Sequence, residues 1–145
     1  MRHRLYSLAA AATLALAALF AAPSRAAETA ADVYAEALAQ PGRSAADRER
    51  DARDRPADVL AFAGVAPGMA VADIFGGSGY YAEIVARVVG PQGHVLLVNN
   101  APYVAFAGKD YKARFDGGRL PQVRRSVVET CDLGLAPESL DVAMI

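Results

Sequence analysis

Three polar side chains and one glycine-rich turn hold most of the chemistry available to this 145-residue sequence. Asp73 lies near the end of a short apolar run, Ala70-Val71-Ala72-Asp73-Ile74-Phe75, and Gly76-Gly77-Ser78-Gly79 follows at once. Glycines between a strand and a helix let a ligand approach the backbone, and the helix start offers unbonded N–H groups. Gly77 to Ala82 satisfies G-x-G-x-x-A, the dinucleotide fingerprint. Without a ligand the same glycines make only a tight turn. Asp73 stands four residues before Gly77; a carboxylate there repels a pyrophosphate and attracts a cationic ligand. Asn99 ends a second apolar run, 22 residues beyond Gly77, where a ribose-binding side chain is expected. Asp132, next to Cys131, follows a third expected strand; it can accept from an amino group or serve as a plain turn residue. An acid, a ribose binder and a second acid form a pattern for an adenosyl ligand with an amino-acid tail.

The elements that must position these residues follow from period and punctuation. Ala70–Phe75 and Val95–Val98 are continuous apolar runs, as in parallel strands buried on both faces. Between them Tyr80 to Val89 places Tyr81, Ile84, Val85, Val88 and Val89 at helical spacing, with Glu83 and Arg87 expected to pair at i,i+4. Gly90-Pro91-Gln92-Gly93 ends that helix. Strand, glycine turn, helix and strand within about 30 residues make a βαβ unit. A helix is expected near 102–113, a third strand over Val123 to Glu129 and a fourth over Leu140 to Ile145. The fold class is therefore α/β, a Rossmann-like, doubly wound parallel sheet with strand order 3-2-1-4. An apolar strand at the end of the sequence predicts that residues 65–145 are the N-terminal part of a longer domain.

Helices are expected before the sheet, over residues 27–64. Glu28 to Gln40 is alanine-rich, with Val33, Ala37 and Leu38 on one side, and Pro41-Gly42 breaks it. Arg43 to Arg55 mixes both signs of charge, with Glu49–Arg53 and Asp51–Arg55 at i,i+4. It reads either as a solvated helix or as a lid over a polar ligand. Pro56 suits the first turn of a third helix running to Ala63.

Residues 1–26 stand apart. Met1-Arg2-His3-Arg4 is positive, Leu5 to Ala22 is almost wholly apolar, and Ser24-Arg25-Ala26 supplies the small residues of a signal-peptidase site. The reading is an exported protein, periplasmic or secreted, with no stable membrane insertion after cleavage. The alternative is anchoring by the uncleaved helix, since 18 residues nearly cross ~30 Å of hydrocarbon. Without Arg2, Arg4 and Arg25, residues 27–145 carry 12 basic and 16 acidic side chains. That balance offers no field for a phosphate backbone, so no nucleic-acid partner is expected. One cysteine and two histidines exclude a thiolate zinc site and leave little for any metal.

The ordered set of motifs resembles the class I S-adenosylmethionine-dependent methyltransferases. Val65-Ala66-Pro67-Gly68-Met69-Ala70-Val71-Ala72-Asp73-Ile74 is similar to their approach to the first strand, and Phe75-Gly76-Gly77-Ser78-Gly79-Tyr80 to their glycine motif. Gly90 to Asn99 is similar to their second strand. Cys131-Asp132-Leu133 and Glu138 to Val142 resemble their adenine-contact segment and fourth strand. The charged stretch before Pro56 resembles a group of exported bacterial proteins predicted from sequence to be methyltransferases. Two positions depart from the pattern: Phe75 stands at its first glycine and Asn99 at its ribose-binding acid.

The resemblance implies S-adenosylmethionine as cofactor. Asp73 would orient the methionine end, Gly77 and Gly79 would let the backbone lie against the ligand, and Asn99 would hold the ribose. Asp132 would accept from the adenine amino group. Tyr80 would lie near the sulfonium, or simply pack. The methyl acceptor, a small molecule or otherwise, is not specified, and no catalytic base is identifiable. His3 lies in the leader and His94 starts a strand on the turn side. Two rivals stay open: an NAD(P)-binding oxidoreductase, which explains the glycines but not Asp73, and a non-catalytic exported binding protein of the same fold. The leader generates the first prediction. Expressed in an exporting host, the protein should begin at Ala27; N-terminal sequencing that finds Met1 intact would contradict it.

Overall fold

A computed structural model describes residues 29–130 and 132–145. The signal-peptide expectation for residues 1–26 lies outside the described residues, as does Cys131. Three short helices come first: α1 (Ala30–Ala39), α2 (Ala45–Asp54) and α3 (Pro56–Ala63). The first two begin at a capping side chain and the third at a proline. Thr29 and Asp32 form a reciprocal capping box at α1, and Ser44 accepts from the Asp47 N–H at α2. Pro56 opens α3, and Gly64 closes it in the left-handed region at φ 70°, with the Val65 N–H returning to the Leu60 carbonyl.

The sheet then forms from β1 (Ala70–Ile74), β2 (His94–Asn99), β3 (Val123–Val127) and β4 (Val142–Met144), in the expected order β3-β2-β1-β4 and parallel throughout. Helix α4 (Tyr80–Val89) crosses from β1 to β2, and α5 (Ala101–Phe115) from β2 to β3. In register, Asp73 stands beside Leu97 of β2 and Met144 of β4. Val71, Val95 and Leu97 form one core with Ile84, Val85, Tyr111 and Phe115 from the helices and Tyr34 and Leu60 from the N-terminal segment. Leu96 and Val98, on alternate positions, line clefts with Leu135, Leu140 and Leu133 of the irregular segment before β4. The Tyr34 hydroxyl donates to the Val65 carbonyl at 2.8 Å, tying α1 to the turn between α3 and β1.

Several local expectations are corrected. The fifth helix runs two residues further than 102–113 and is broken at Gly108, whose φ/ψ of 51°/−126° no helix adopts. Strands three and four are shorter than Val123–Glu129 and Leu140–Ile145. Glu83 does not pair with Arg87. It is 1% exposed and takes Arg114 and, at 2.9 Å, Arg119. On α2 the pairs Glu49–Arg53 and Asp51–Arg55 give way to Arg50–Asp54 at 2.5 Å and Arg53–Asp54 at 2.8 Å.

Nor is α2 simply solvated. Asp47 is buried and receives both terminal nitrogens of Arg114 at 2.9 and 3.1 Å, while Asp51 receives Arg43 at 2.5 and 2.7 Å. Burial raises both carboxyls, but the hydrogen bonds and charges of Arg114 and Arg43 outweigh it and hold them below the usual range. Longer-range partners win because a buried guanidinium needs a carboxylate far more than an exposed i,i+4 neighbour does.

This arrangement generates the second prediction. Glu83→Ala leaves two guanidinium groups without their shared buried partner and should lower stability by about 3–5 kcal/mol. The exposed Glu49→Ala should stay within about 0.5 kcal/mol. Urea denaturation of the two variants checks the contrast.

Candidate functional site

The site grows from the strand-to-helix turn at the carboxyl ends of β1 and β2, where open α/β sheets bind ligands. Asp73 is 5% exposed and lies under the start of α4, where its Oδ2 accepts from the Ala82 N–H at 3.0 Å. No described side chain forms an ion pair with it. Burial pushes its carboxyl up to about 6, against the opposing pull of the Ala82 N–H and the charge of Arg50. Gly76 makes this position possible, because a β-carbon there would stand 2.5 Å from Asp73 Cγ. Gly79 sits at φ 82°, and its β-carbon would stand 2.6 Å from the Phe115 ring. Gly77, at φ 58°, has open space where a side chain would be. The turn is thus packed from below at Gly76 and Gly79 and open at Gly77.

Asn99 is fully buried and grips the turn at both ends of its amide. Its Oδ1 accepts from the Gly77 N–H and its Nδ2 donates to the Gly77 carbonyl, each at 3.0 Å. A carboxylate could take the first bond but would turn a second negative oxygen on the Gly77 carbonyl. Each end of the amide keeps one further hydrogen-bonding position, and full burial of Asn99 closes it to the expected ribose contact unless the turn shifts.

Asp73, Gly77, Gly79 and Asn99 are brought together. Tyr80 and Asp132 stand apart from them. Tyr80 is buried toward α2: its hydroxyl donates to Asp51 at 2.6 Å, and the Arg50 guanidinium lies 4.0 Å from its ring centre. Burial and the Asp51 carboxylate push that hydroxyl up, so it remains a donor. Asp132 is exposed and accepts from the Gly134 N–H at 2.8 Å, closing a local turn beyond β3. Beside it, a cleft of about 340 Å³ opens at the ends of the first three strands. Ile74, Phe75, Val98, Val128 and Leu133 give it an apolar lining, with Glu129 its charged residue.

Two features of the turn show their form only in the structure. Phe75 sits in the left-handed region at φ 56°, a conformation that costs a bulky residue about 1 kcal/mol. Its N–H donates to the Val98 carbonyl at 2.7 Å, and its ring meets Tyr103 at 5.3 Å. The sequence signal was Phe75 itself at the head of a glycine run. The second is Arg114, whose Nε donates to the Ser78 carbonyl at 2.8 Å. Its carboxylate partner Asp47 lies 67 residues away, and no local pattern marks it. Among the described residues no cluster of His, Cys, Asp or Glu could hold a metal ion, and no helix is long and apolar enough to cross a membrane.

S-adenosylmethionine-dependent methyltransferases share this fold, and several proteins similar to this chain are methyltransferases by name. Residues 50–114 match the family model of protein-L-isoaspartate(D-aspartate) O-methyltransferase. An arsenite methyltransferase of Halobacterium salinarum is 34% identical over 91 residues, covering 54% of this chain and 23% of its own. The chain thus spans under a quarter of the length of that curated relative. A solved S-adenosylmethionine-dependent methyltransferase from Aquifex aeolicus is 25% identical with a TM-score of 0.51, over 61% of this chain and 45% of its own. A protein-L-isoaspartate O-methyltransferase structure is 29% identical with a TM-score of 0.41, over 50% of this chain and 22% of its own. The matched stretch contains β1, the glycine turn, α4, β2 and most of α5.

The third prediction concerns Asp73. Its folded pKa near 6 lies above the ordinary value of 3.8. The folded state therefore binds a proton more tightly than the unfolded chain. The stability due to this proton is full below 3.8 and is lost as pH rises through 6. Carboxyl-carbon NMR should show Asp73 titrating near 6, and Asp73→Asn should flatten the decline in stability between pH 4 and 6. A midpoint at the ordinary carboxylate value would contradict this.

Proposed function

We propose that this chain carries the donor-binding half of an S-adenosylmethionine-dependent methyltransferase and acts on an acceptor that its described residues do not define. The observation that carries the reading is Asp73: a buried carboxylate without an ion-pair partner, at the end of β1 beneath a glycine turn that is open at Gly77. Such a site wants a cation. A pyrophosphate would meet Asp73 as a like charge, whereas a ligand with an ammonium and a sulfonium meets it as an opposite one. The apolar cleft between Phe75 and Leu133 suits a flat base, with Asn100, Glu129 and Thr130 as its polar residues. The residues present therefore fit S-adenosylmethionine. Its similarities to methyltransferases, over residues 50–114 for the family model and over 91 residues for the arsenite methyltransferase, support the same reading.

When bound, the donor would supply a methyl group already activated by a sulfonium leaving group. Asp73 would hold the amino-acid end, the Gly77 peptide would lie along the ligand, and the cleft would exclude water from the base. Alignment and desolvation are the protein's main contributions to an in-line displacement, so no general base is required at the donor side. The relatives differ in acceptor by name, arsenite in one and isoaspartyl protein in another. No acceptor is carried over to this chain.

The proposal extends to location. The leader-like composition of residues 1–26 and the charged stretch at Arg43–Arg55 support export to the periplasm or beyond, as in the exported bacterial group that the sequence resembles.

Calorimetry gives the fourth prediction. The protein should bind S-adenosylmethionine and not NAD. Asp73→Asn should weaken binding by on the order of tenfold or more, the equivalent of one lost charge-assisted hydrogen bond. Wild-type affinity should rise as pH passes through 6 and Asp73 ionises. Tight NAD binding without S-adenosylmethionine binding would overturn the reading in favour of a dinucleotide enzyme.

A further inference from the structure

Arg114 is buried at the junction of four segments, and the functional reading leaves it without a role. It belongs to the last turn of α5, yet its guanidinium spends every nitrogen elsewhere. Nε donates to the Ser78 carbonyl at 2.8 Å, Nη1 and Nη2 take the Asp47 carboxylate of α2, and Nη1 also takes Glu83 of α4. Ser78 is the residue between Gly77 and Gly79. Asn99 reaches the turn one residue earlier, through the Gly77 peptide. Gly77 and Gly79, both at positive φ, bracket the Ser78 carbonyl, so rotation of either peptide must move it. A planar fork with three fixed directions can hold such a carbonyl, and a single ammonium on a flexible stem cannot.

We propose that Arg114 is a positioning residue. With Asp47 and Glu83 setting its orientation, it fixes the Ser78 carbonyl and so the path of Gly77–Gly79 on which the donor lies. Asn99 and Arg114 then hold the turn from two sides. Helix α2, through Asp47, becomes part of the binding unit. This inference rests on the proposed function only for what the turn binds. The immobilisation of the turn is a property of the protein alone, and the two can be tested apart.

The comparison uses full-length protein carrying Arg114→Lys, Asp47→Asn or Arg119→Gln. Arg119 shares Glu83 and also bonds the Gly42 and Arg114 carbonyls, but it makes no hydrogen bond to Ser78, so it controls for loss of stability. Amide exchange by NMR is read at Gly77 and Gly79 relative to Val85 in the core of α4. Arg114→Lys should speed exchange at the two glycines by on the order of tenfold relative to Val85, one charge-assisted hydrogen bond's worth. The dissociation constant for S-adenosylmethionine should rise by a similar factor. Asp47→Asn should do the same to a smaller degree, and it serves if the Lys variant does not fold. Arg119→Gln should shift glycines and Val85 together. Arg114→Lys and Asp47→Asn that likewise shift the glycines only in step with Val85 would reduce Arg114 to a structural tie and overturn the proposal. Localised loosening in a wild-type background that binds no S-adenosylmethionine would sustain the positioning role and overturn the functional reading instead.

Discussion

The described structure depends on a small number of guanidinium groups that have no water to turn to. Arg114 and Arg43 are almost fully buried, and each is matched to a carboxylate of α2, Asp47 and Asp51. Burying an ion is expensive unless the partner geometry is good and the remaining protons are bonded. That demand ties α2 to the rest of the fold, because Asp47 supplies Arg114 with a carboxylate beside Glu83 of α4. Once α2 is fixed, the Tyr80 hydroxyl finds Asp51, and Arg50 comes to lie over the Tyr80 ring. The first turn of α4 is therefore fastened from outside by α2 and from below by the Asp73 contact with the Ala82 N–H.

Within that frame the turn concentrates the unfavourable features. Asp73 holds a carboxyl that burial pushes toward neutrality. Phe75 adopts a backbone conformation better suited to glycine. Gly76 and Gly79 tolerate no side chain. Elsewhere local preference and packing largely agree: α1 and α2 are capped, β1 and β2 are apolar and the core is continuous. Arg55 and Glu138 also sit at positive φ, but only at this turn does such a residue adjoin a buried carboxyl and glycines packed against neighbouring side chains, the clustering expected of a binding site.

The same division explains what could be read in advance. The strand order, the βαβ unit and the glycine turn were legible because each is written in adjacent residues: a four- to six-residue apolar run, a glycine cluster, a 3.6-residue period. Glu83 was misassigned to Arg87 because an i,i+4 rule knows only one helix, and the true partners come from α5 and the stretch after it. The charged run at Arg43–Arg55 looked solvated because its pattern is that of a surface helix. Only the arrival of Arg114 from 67 residues away makes Asp47 a buried group. Asn99 and Asp73 were found by their places at strand ends, whereas what they bond depends on the closed shape of the turn. Arg114 and the Phe75–Tyr103 pair are tertiary facts with no period or spacing to announce them.

The contrast between Asp73 and Asn99 bears on which ligand the turn favours. A dinucleotide site puts a pyrophosphate against the glycine turn and an acid at the end of the second strand for the ribose hydroxyls. Here the charges are reversed: the acid closes the first strand, and the second ends in a neutral amide that donates as well as accepts. An anionic ligand would meet Asp73 at its most crowded point. A cationic one would relieve the buried carboxylate and favour its ionised form, so binding and proton release would be linked. For a displacement at a sulfonium, a fixed negative group near the amino-acid end and an apolar slot for the base are sufficient alignment. The turn between them must then stay still, and the bonds from Asn99 and Arg114 to its two successive carbonyls restrain it in the direction that matters.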